Sequence, residues 1–452
     1  MEAPAPLAVL RDIVGEPHVL TAPDVVASYV REWTGRWTGH TDAVVRPAST
    51  KEVSAVVAAC YRTGTALVPQ GGNTGLVGGG VPSQGAIVLS LRRLDTLGEV
   101  DQLSGQLTAG AGATIGDVQR QASAAGWGYG VDLGSRDSAT VGGTVATNAG
   151  GLRMVRYGPT RSQLAGVEAV LGDGSVVSHL GGLWKDNTGY DLAGLLCGSE
   201  GTLGVVTAAR LKLVTPAAER TVALLAFDDI AVAVEGAAGL RRWVPLLEAV
   251  EIFLSPGLRL VCQALGLQAP FAGEHAAYVL VEAVGDTDPT DALAAAVASV
   301  GAVKDVALAS SGERRAALWR YREGHTEAIA SLGPQHKLDV SVPLGNLAEL
   351  AARAPQVVAE VAPKASIWMF GHVADGSLHI NVTGVPGDDD SVDAAVLGLV
   401  ASLGGSISAE HGIGRAKRPW LALNRSVAEI GAMRAVKTAL DPAGILNPGV
   451  IF

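Results

Sequence analysis

Residues 371–381 read GHVADGSLHIN, and two of the chain's nine histidines fall here, on either side of an Asp-Gly pair. Imidazoles move protons near neutrality and bind divalent ions. The flanks SIWMFGHV and SLHINV are apolar and extended, and Asp-Gly signals a two-residue hairpin turn. With Asp375 and Gly376 as the turn, Val373 pairs with Leu378 and His372 with His379. His372, His379 and Asn381 then share one face, while Val373, Leu378 and Ile380 face a core. Paired Cβ atoms lie about 4.5–5.5 Å apart, so the two rings can share an ion. A stacked or hydrogen-bonded histidine pair fits the hairpin equally well. The fragment SAEHGIG, residues 408–414, tips the balance by adding Glu410 and His411. Two histidines and a carboxylate form a three-ligand set with an open position, suited to catalytic zinc and also to iron(II).

Two further stretches carry charge in ordered patterns. In GERRAALWRYREGHTEAIASLG, Trp319, Arg322, Thr326 and Ile329 fall on one helical face. In HKLDVSVPL, Lys337, Asp339 and Ser341 alternate with Leu338, Val340 and Val342, as on a strand. By pattern alone, both are solvated faces.

The elements that position these residues belong to a chain of 452 residues, long enough for two domains or three. Hydrophobic residues make up 48% and charged residues 17%, which gives ample material for a core. A net charge of −10 with no basic run excludes a general nucleic-acid binder, so any anionic substrate must be met by local positive charge. Cys60, Cys197 and Cys262 are scattered and odd in number, which fits a reducing compartment and neither disulfides nor a thiolate metal site. MEAPAPLAVLRDIVGEP has no basic start before an apolar core, so no signal peptide is expected. No apolar run approaches a bilayer span of roughly 18 residues. The default expectation is a cytoplasmic protein, with peripheral membrane contact left open.

Glycine is the strongest bias: 32 of the 58 lie between Gly64 and Gly204. Such density implies a backbone that passes close to something leaving no room for side chains. Familiar phosphate loops do not explain it. There is no Gly-Lys pair and hence no P-loop, GAGATIG at 110–116 has the wrong spacing for a dinucleotide fingerprint, and no G-x-S-x-G occurs. What remains is PQGGNTGLVGGG at 69–80 and DLGSRDSATVGGTVATNAGGLRMVRYG at 132–158. The first offers a nest of backbone N–H groups for phosphate oxygens. The second interleaves Ser135, Ser138, Thr140 and Thr147 with glycines, which suits a long, flat ligand bearing a diphosphate.

Residues 42–68 read as strand, helix and strand, the helix beginning behind Thr50 as its cap. Residues 1–216 form one α+β domain, closed by Pro216. Beyond it, VALLAFDD, IAVAVEGAAGLRRWVP, LEAVEIFL, AAYVLVEAVG and TDALAAAVASVG alternate strand, helix, strand, strand, helix. That order predicts an antiparallel sheet with helices on one face, over 217–424. Residues 425–452 form a C-terminal segment that returns to the first domain.

Six motifs in order, PQGGNTGLVGG, VGGTVATNAGGLRMVRYG, KDNTGYDLAGLLCGSEGTLGVVT, GHVADGSLHIN, SAEHGIG and DPAGILNPG, resemble the FAD-dependent D-2-hydroxyacid dehydrogenases of the vanillyl-alcohol oxidase type. The resemblance spans residues 45–450 and is nearest to the members that oxidise D-2-hydroxyglutarate. It implies an α+β fold with an FAD-binding domain and an antiparallel-sheet substrate (cap) domain. It also implies that Pro69, Gly71, Gly72, Asn73, Thr74, Gly75 and Leu76 wrap the pyrophosphate. Ser135, Ser138, Gly142, Gly143, Thr147, Asn148, Gly150 and Gly151 line the rest of the cofactor, with Gly201, Thr202, Val206 and Asn447 near the flavin. Relatives with covalent flavin carry a histidine in the first loop, where this chain has Asn73-Thr74, so non-covalent FAD is expected.

The resemblance further assigns His372, His379 and Glu410 to zinc or a similar ion, His411 to the role of base, and Asn381 to substrate orientation. Arg322, Thr326 and Lys337 match positions that hold the distal carboxylate of D-2-hydroxyglutarate. The sequence does not name the electron acceptor, for which an electron-transfer flavoprotein, a quinone or a similar carrier would serve, and a homodimer is compatible. ADGS replaces the usual Gly-Asp-Gly-Asn before the second histidine, which alters loop contacts but keeps Asp375 and Gly376. Alternatives are a dehydrogenase of D-lactate or another D-2-hydroxyacid and, from another class, a flavin-free zinc hydrolase.

Overall fold

The computed structural model describes residues 7–452 apart from Gln84 and Pro245. The signal-peptide expectation rests partly on residues 1–6, which lie outside the described residues. The chain forms two compact units, one of Met1–Gly151, Tyr157–Pro216 and Glu410–Phe452, the other of Leu152–Arg156 and Ala217–Ala409. One division between them falls after Pro216. The first unit resumes at Glu410, with the N–H groups of residues 413–416 bonded within it, and the five residues after Gly151 group with the second.

In the first unit, β1 (Val19–Leu20), β2 (Val44–Val45), β3 (Leu67–Gln70) and β4 (Ile87–Ser90) form a sheet in the order β1-β2-β4-β3, parallel except for β1. The helix Thr50–Thr63 crosses between β2 and β3. Its N-cap is Ser49, whose hydroxyl accepts the Glu52 N–H, and not the expected Thr50; Gly64 ends it in the left-handed conformation. A second, antiparallel sheet orders β5 (Gln106–Gly110), β6 (Leu164–Val170), β7 (Val176–His179) and β8 (Val205–Lys212) as β5-β8-β6-β7. One core, running from Val45, Leu67 and Leu89 to Leu107, Val167 and Leu211, joins both sheets. The C-terminal segment adds to the free edge of β3: the Leu67 N–H donates to Ile445 O and the Asn447 N–H to Leu67 O, each at 2.8 Å.

The second unit is built on one antiparallel sheet of seven strands. These are β9 (Glu219–Phe227), β10 (Leu247–Leu254), β11 (Ala277–Gly285), β12 (Asp305–Ala309), β13 (Gln335–Ser341), β14 (Ser366–Gly371) and β15 (Ser377–Thr383). Their order is β12-β9-β11-β10-β14-β15-β13. Helices cover both faces, not one as expected. Phe253, Tyr278 and Phe370 pack with Leu258 of the helix Ser255–Leu265 and Ile329 of Gly312–Ala330. On the opposite side, His336 reaches Asp393 of the helix Ser391–Ser402. The cause is visible in β11, where every residue from Ala277 to Gly285 is buried; a strand apolar on both faces cannot leave one to water.

Candidate active site

The hairpin of β14 and β15 is present, with its register two residues from the expected one. Phe370 stands opposite His379 and Trp368 opposite Asn381, and the Ser377 N–H donates to the His372 carbonyl at 3.2 Å. A two-residue type I′ turn needs positive φ at both central residues. Only Gly376 has it (φ 77°); Asp375 instead accepts the Ser377 N–H on its side chain at 3.1 Å, ending a short 3-10 turn, Val373–Asp375. Because side chains alternate with period two, a two-residue shift leaves the facing unchanged. His372 and His379 therefore still share a face, with ring centroids 5.3 Å apart, while Val373, Leu378 and Ile380 are buried.

Neighbouring strands fix the orientation of both rings. On β10, Ile252 pairs with Gly371, which brings Glu251 beside His372; Glu251 Oε1 lies 2.6 Å from His372 Nδ1. On β13, Asp339 pairs with His379 and its Oδ1 lies 3.2 Å from His379 Nδ1. Glu251 hydrogen-bonds His372 Nδ1 and the Asp339 carboxylate stands beside His379 Nδ1; a carboxylate at Nδ1 favours the tautomer that leaves Nε2 open to a metal. The two Nε2 atoms are 3.4 Å apart. At that separation one ring can donate its Nε2–H to the other, and with both Nε2 atoms deprotonated the pair could flank a divalent ion, so these residues fit the implied metal.

Arg322 completes this cluster. Its Nε donates to Glu251 Oε2 at 2.6 Å, both side chains are buried, and its guanidinium carbon sits 4.6 Å over the Phe370 ring. Burial raises the Glu251 carboxyl, but His372 and Arg322 beside it outweigh this and hold it below its usual range. Among the described residues, the two terminal nitrogens of Arg322 make no hydrogen bond. Thr326 is half-buried one turn further along the same helix, and Lys337 stands opposite Asn381 on the face that bears Asp339 and His379. The structure thus brings Arg322, Lys337, Asn381, His372 and His379 onto one sheet face and its covering helix.

In the first unit, the glycine loops lie against each other. A Cβ at Gly71 would collide with the Thr140 hydroxyl, at Gly72 with the Ser138 carbonyl and at Gly151 with the Asp132 carbonyl, and at Gly142 it would lie 2.7 Å from Ala111 Cβ. What those glycines approach is neighbouring chain as well as any ligand. At Gly75, by contrast, a Cβ meets nothing within 4 Å. Asn73 is left-handed (φ 56°) and donates to Arg31 O at 3.0 Å, while the Thr147 hydroxyl bonds Gly143 O and Asn148 accepts the Arg161 N–H, each at 3.0 Å. These three side chains are used to shape the loops. Thr202 bonds Ser199 O at 2.7 Å, Val206 is buried in β8, and a Cβ at Gly201 would lie 3.3 Å from the Pro69 ring. Asn447 donates from Nδ2 to Gly79 O (2.9 Å) and Glu200 O (2.8 Å), while its buried Oδ1 has no hydrogen-bond partner among the described residues. A buried acceptor left unmet beside a glycine loop suits a ligand N–H such as that of a flavin ring, so these residues fit FAD.

Glu410 and His411 open the return of the chain to this unit. Glu410 Oε2 accepts the Gly151 N–H at 3.0 Å, and His411 Nε2 is 3.9 Å from Glu410 Oε1. Sequence reasoning missed Glu251 and Glu200 and gave Asp339 no role. For Glu251 a signal existed: a carboxylate in the otherwise apolar run LEAVEIFL is costly unless it is paired.

A histidine pair beside buried carboxylates on an antiparallel sheet, with a glycine-loop unit that fits a flavin, points to a flavin-linked oxidoreductase. The chain belongs to the FAD-linked oxidases: residues 216–451 match the family described as FAD linked oxidases, C-terminal domain, and 41–179 match the FAD binding domain. A D-2-hydroxyglutarate dehydrogenase of Xanthomonas citri pv. viticola is 40% identical over 98% of this chain and 96% of its own length. The mitochondrial D-2-hydroxyglutarate dehydrogenase of Bos taurus is 35% identical over 96% of this chain and 80% of its own. Among solved structures, p-cresol methylhydroxylase with substrate bound shares the fold at a TM-score of 0.79 and 18% identity, covering 98% of this chain and 95% of that one. The flavin-free hydrolase alternative does not survive these matches. Among the described residues, no helix is long and apolar enough to cross a membrane.

Proposed function

We propose that the protein oxidises a D-2-hydroxyacid, foremost D-2-hydroxyglutarate, to the 2-oxoacid. The observation that carries this reading is the pair of carboxylate-backed histidines whose Nε2 atoms converge to 3.4 Å. Non-covalent FAD, when bound, accepts the hydride from C2. A divalent ion such as zinc, when bound, lowers the pKa of the substrate hydroxyl. His372 and His379 hold that ion, and Glu410 is proposed as the third ligand.

His411 takes the hydroxyl proton on a ring nitrogen, imidazole being the side chain with a pKa near neutrality. The open Nη atoms of Arg322 and the Lys337 ammonium bind the distal carboxylate, with Thr326 beside them, giving an acidic protein the local positive charge a dicarboxylate needs. Asn381 orients the substrate and Asn447 the flavin edge. The acceptor class is an electron-transfer flavoprotein or quinone, and the location cytoplasmic. A dye-reduction screen of D-2-hydroxyacids, with and without chelator, tests the reading: D-2-hydroxyglutarate should give the highest kcat/KM, and chelation should abolish turnover. Higher kcat/KM for D-lactate, or turnover indifferent to chelation, would overturn the substrate or the metal.

A further inference from the structure

Glu200 combines features that packing alone does not require. Its backbone is left-handed at φ 52°, a region L side chains rarely adopt, and its side chain is buried. Oε1 accepts the Ile413 N–H at 2.7 Å and Oε2 the Gly414 N–H at 2.8 Å. Its own N–H donates to Ala146 O at 2.7 Å, and its carbonyl accepts Asn447 Nδ2 at 2.8 Å. We propose that Glu200 is a positioning residue that holds the loop of His411 in register with Asn447; this rests on the reading of His411 as the base.

The loop is gripped from two sides. A Cβ at Gly412 would come within 2.8 Å of Glu200 Oε1, and one at Gly414 would collide with the Val77 carbonyl. Val77 O also accepts the N–H groups of Arg415 (2.8 Å) and Ala416 (3.1 Å). Residues 412–416 are thereby fixed one residue beyond His411. A carboxylate suits the task because it presents two acceptor oxygens and no donor. Glutamine would turn an NH2 toward a backbone N–H, and aspartate is a methylene too short to keep both bonds. Burial raises the Glu200 carboxyl, opposed by the two N–H groups and by Lys417, itself buried. The main-chain bond to Asn447 links this loop to the residue proposed to meet the flavin edge.

The test uses FAD-loaded full-length protein with Glu200→Gln and Glu200→Ala. Amide hydrogen exchange should accelerate at residues 411–414 in both, with unchanged exchange in the second unit. kcat for D-2-hydroxyglutarate should fall about tenfold in Glu200→Gln and further in Glu200→Ala, with KM little changed. The C2-deuterium isotope effect on kcat should rise, since a displaced base slows chemistry and not binding. Unchanged exchange at 411–414 overturns the clamp. Faster exchange with unaltered kcat and isotope effect overturns its role in positioning. If Glu200→Ala does not fold, Glu200→Gln carries the same comparisons. Should the wild type oxidise no D-2-hydroxyacid, the proposed function falls, while the exchange measurement still decides the clamp.

Discussion

Glu251 accepts from two partners at once: its Oε1 faces His372 Nδ1 at 2.6 Å and its Oε2 takes the Arg322 Nε–H at 2.6 Å. One buried carboxylate therefore orients the imidazole proposed to hold the metal and anchors the guanidinium proposed to meet the substrate. Glu251→Gln should weaken metal affinity about 10- to 100-fold, as loss of such outer partners does elsewhere. Metal content after dialysis against graded chelator reads this, and unchanged retention would remove Glu251 from the site.

His372→Ala and His379→Ala should lose metal and turnover together. His411→Ala should retain metal while kcat falls about 10²- to 10⁴-fold, the usual contribution of a positioned base. Elemental analysis beside steady-state kinetics separates the cases; equal metal loss in all three would make His411 a ligand.

Lys337→Ala should raise the KM for D-2-hydroxyglutarate about 10- to 100-fold, the worth of a charge-assisted contact of roughly 1.5–3 kcal/mol. The KM for D-lactate, which lacks a second carboxylate, should hardly move. Arg322→Ala is a poorer probe, because it also removes one of the two partners of the buried Glu251 carboxylate that contacts His372. Equal KM changes for both acids would end the proposed role of Lys337.

Acid precipitation should leave a colourless pellet and a yellow supernatant, since Asn73-Thr74 offers the flavin no histidine for attachment. Colour retained in the pellet would establish a covalent link.

A pH effect should arise away from the site. His275 lies between Asp228 (2.7 Å) and Asp305 (2.9 Å), and the Asp228 hydrogen bond, then that of Asp305, raises its pKa against a lowering by burial. A group raised on folding stabilises fully below its unfolded pKa, about 6.5, and loses that contribution as pH rises through the folded value. Tm should therefore decline from pH 6.5 upward by a component that His275→Gln removes. Identical Tm profiles for both proteins would refute this.

How much of this was legible in the sequence depended on the range of the interaction. Hydrophobic periodicity and the Asp-Gly pair located the hairpin and its inward face, because both are local signals. The register itself was set by Asp375 capping Ser377, a choice between turn types that residue identity left open. Asp339 could be seen to alternate on a strand, but its place behind His379 needed the pairing of β13 with β15, strands separated in sequence by a helix and β14. Glu251 lay further still, on a strand joined to the hairpin only through β14. Helices on both faces could have been read from VALLAF and AYVLVEAV, which lack the alternation of a half-exposed strand. The glycines were read as making room for a ligand; several instead make room for the opposite loop, a distinction composition does not carry.

The two-residue offset in the hairpin has a bearing on insertions and deletions. Between His372 and Ser377 the chain makes its turn in four residues, and the histidines stay on one face because the count changed by an even number. Homologous hairpins should therefore vary in loop length by twos. A single added or lost residue, harmless in most surface turns, would send one imidazole into the core and leave its partner carboxylate facing an apolar side chain.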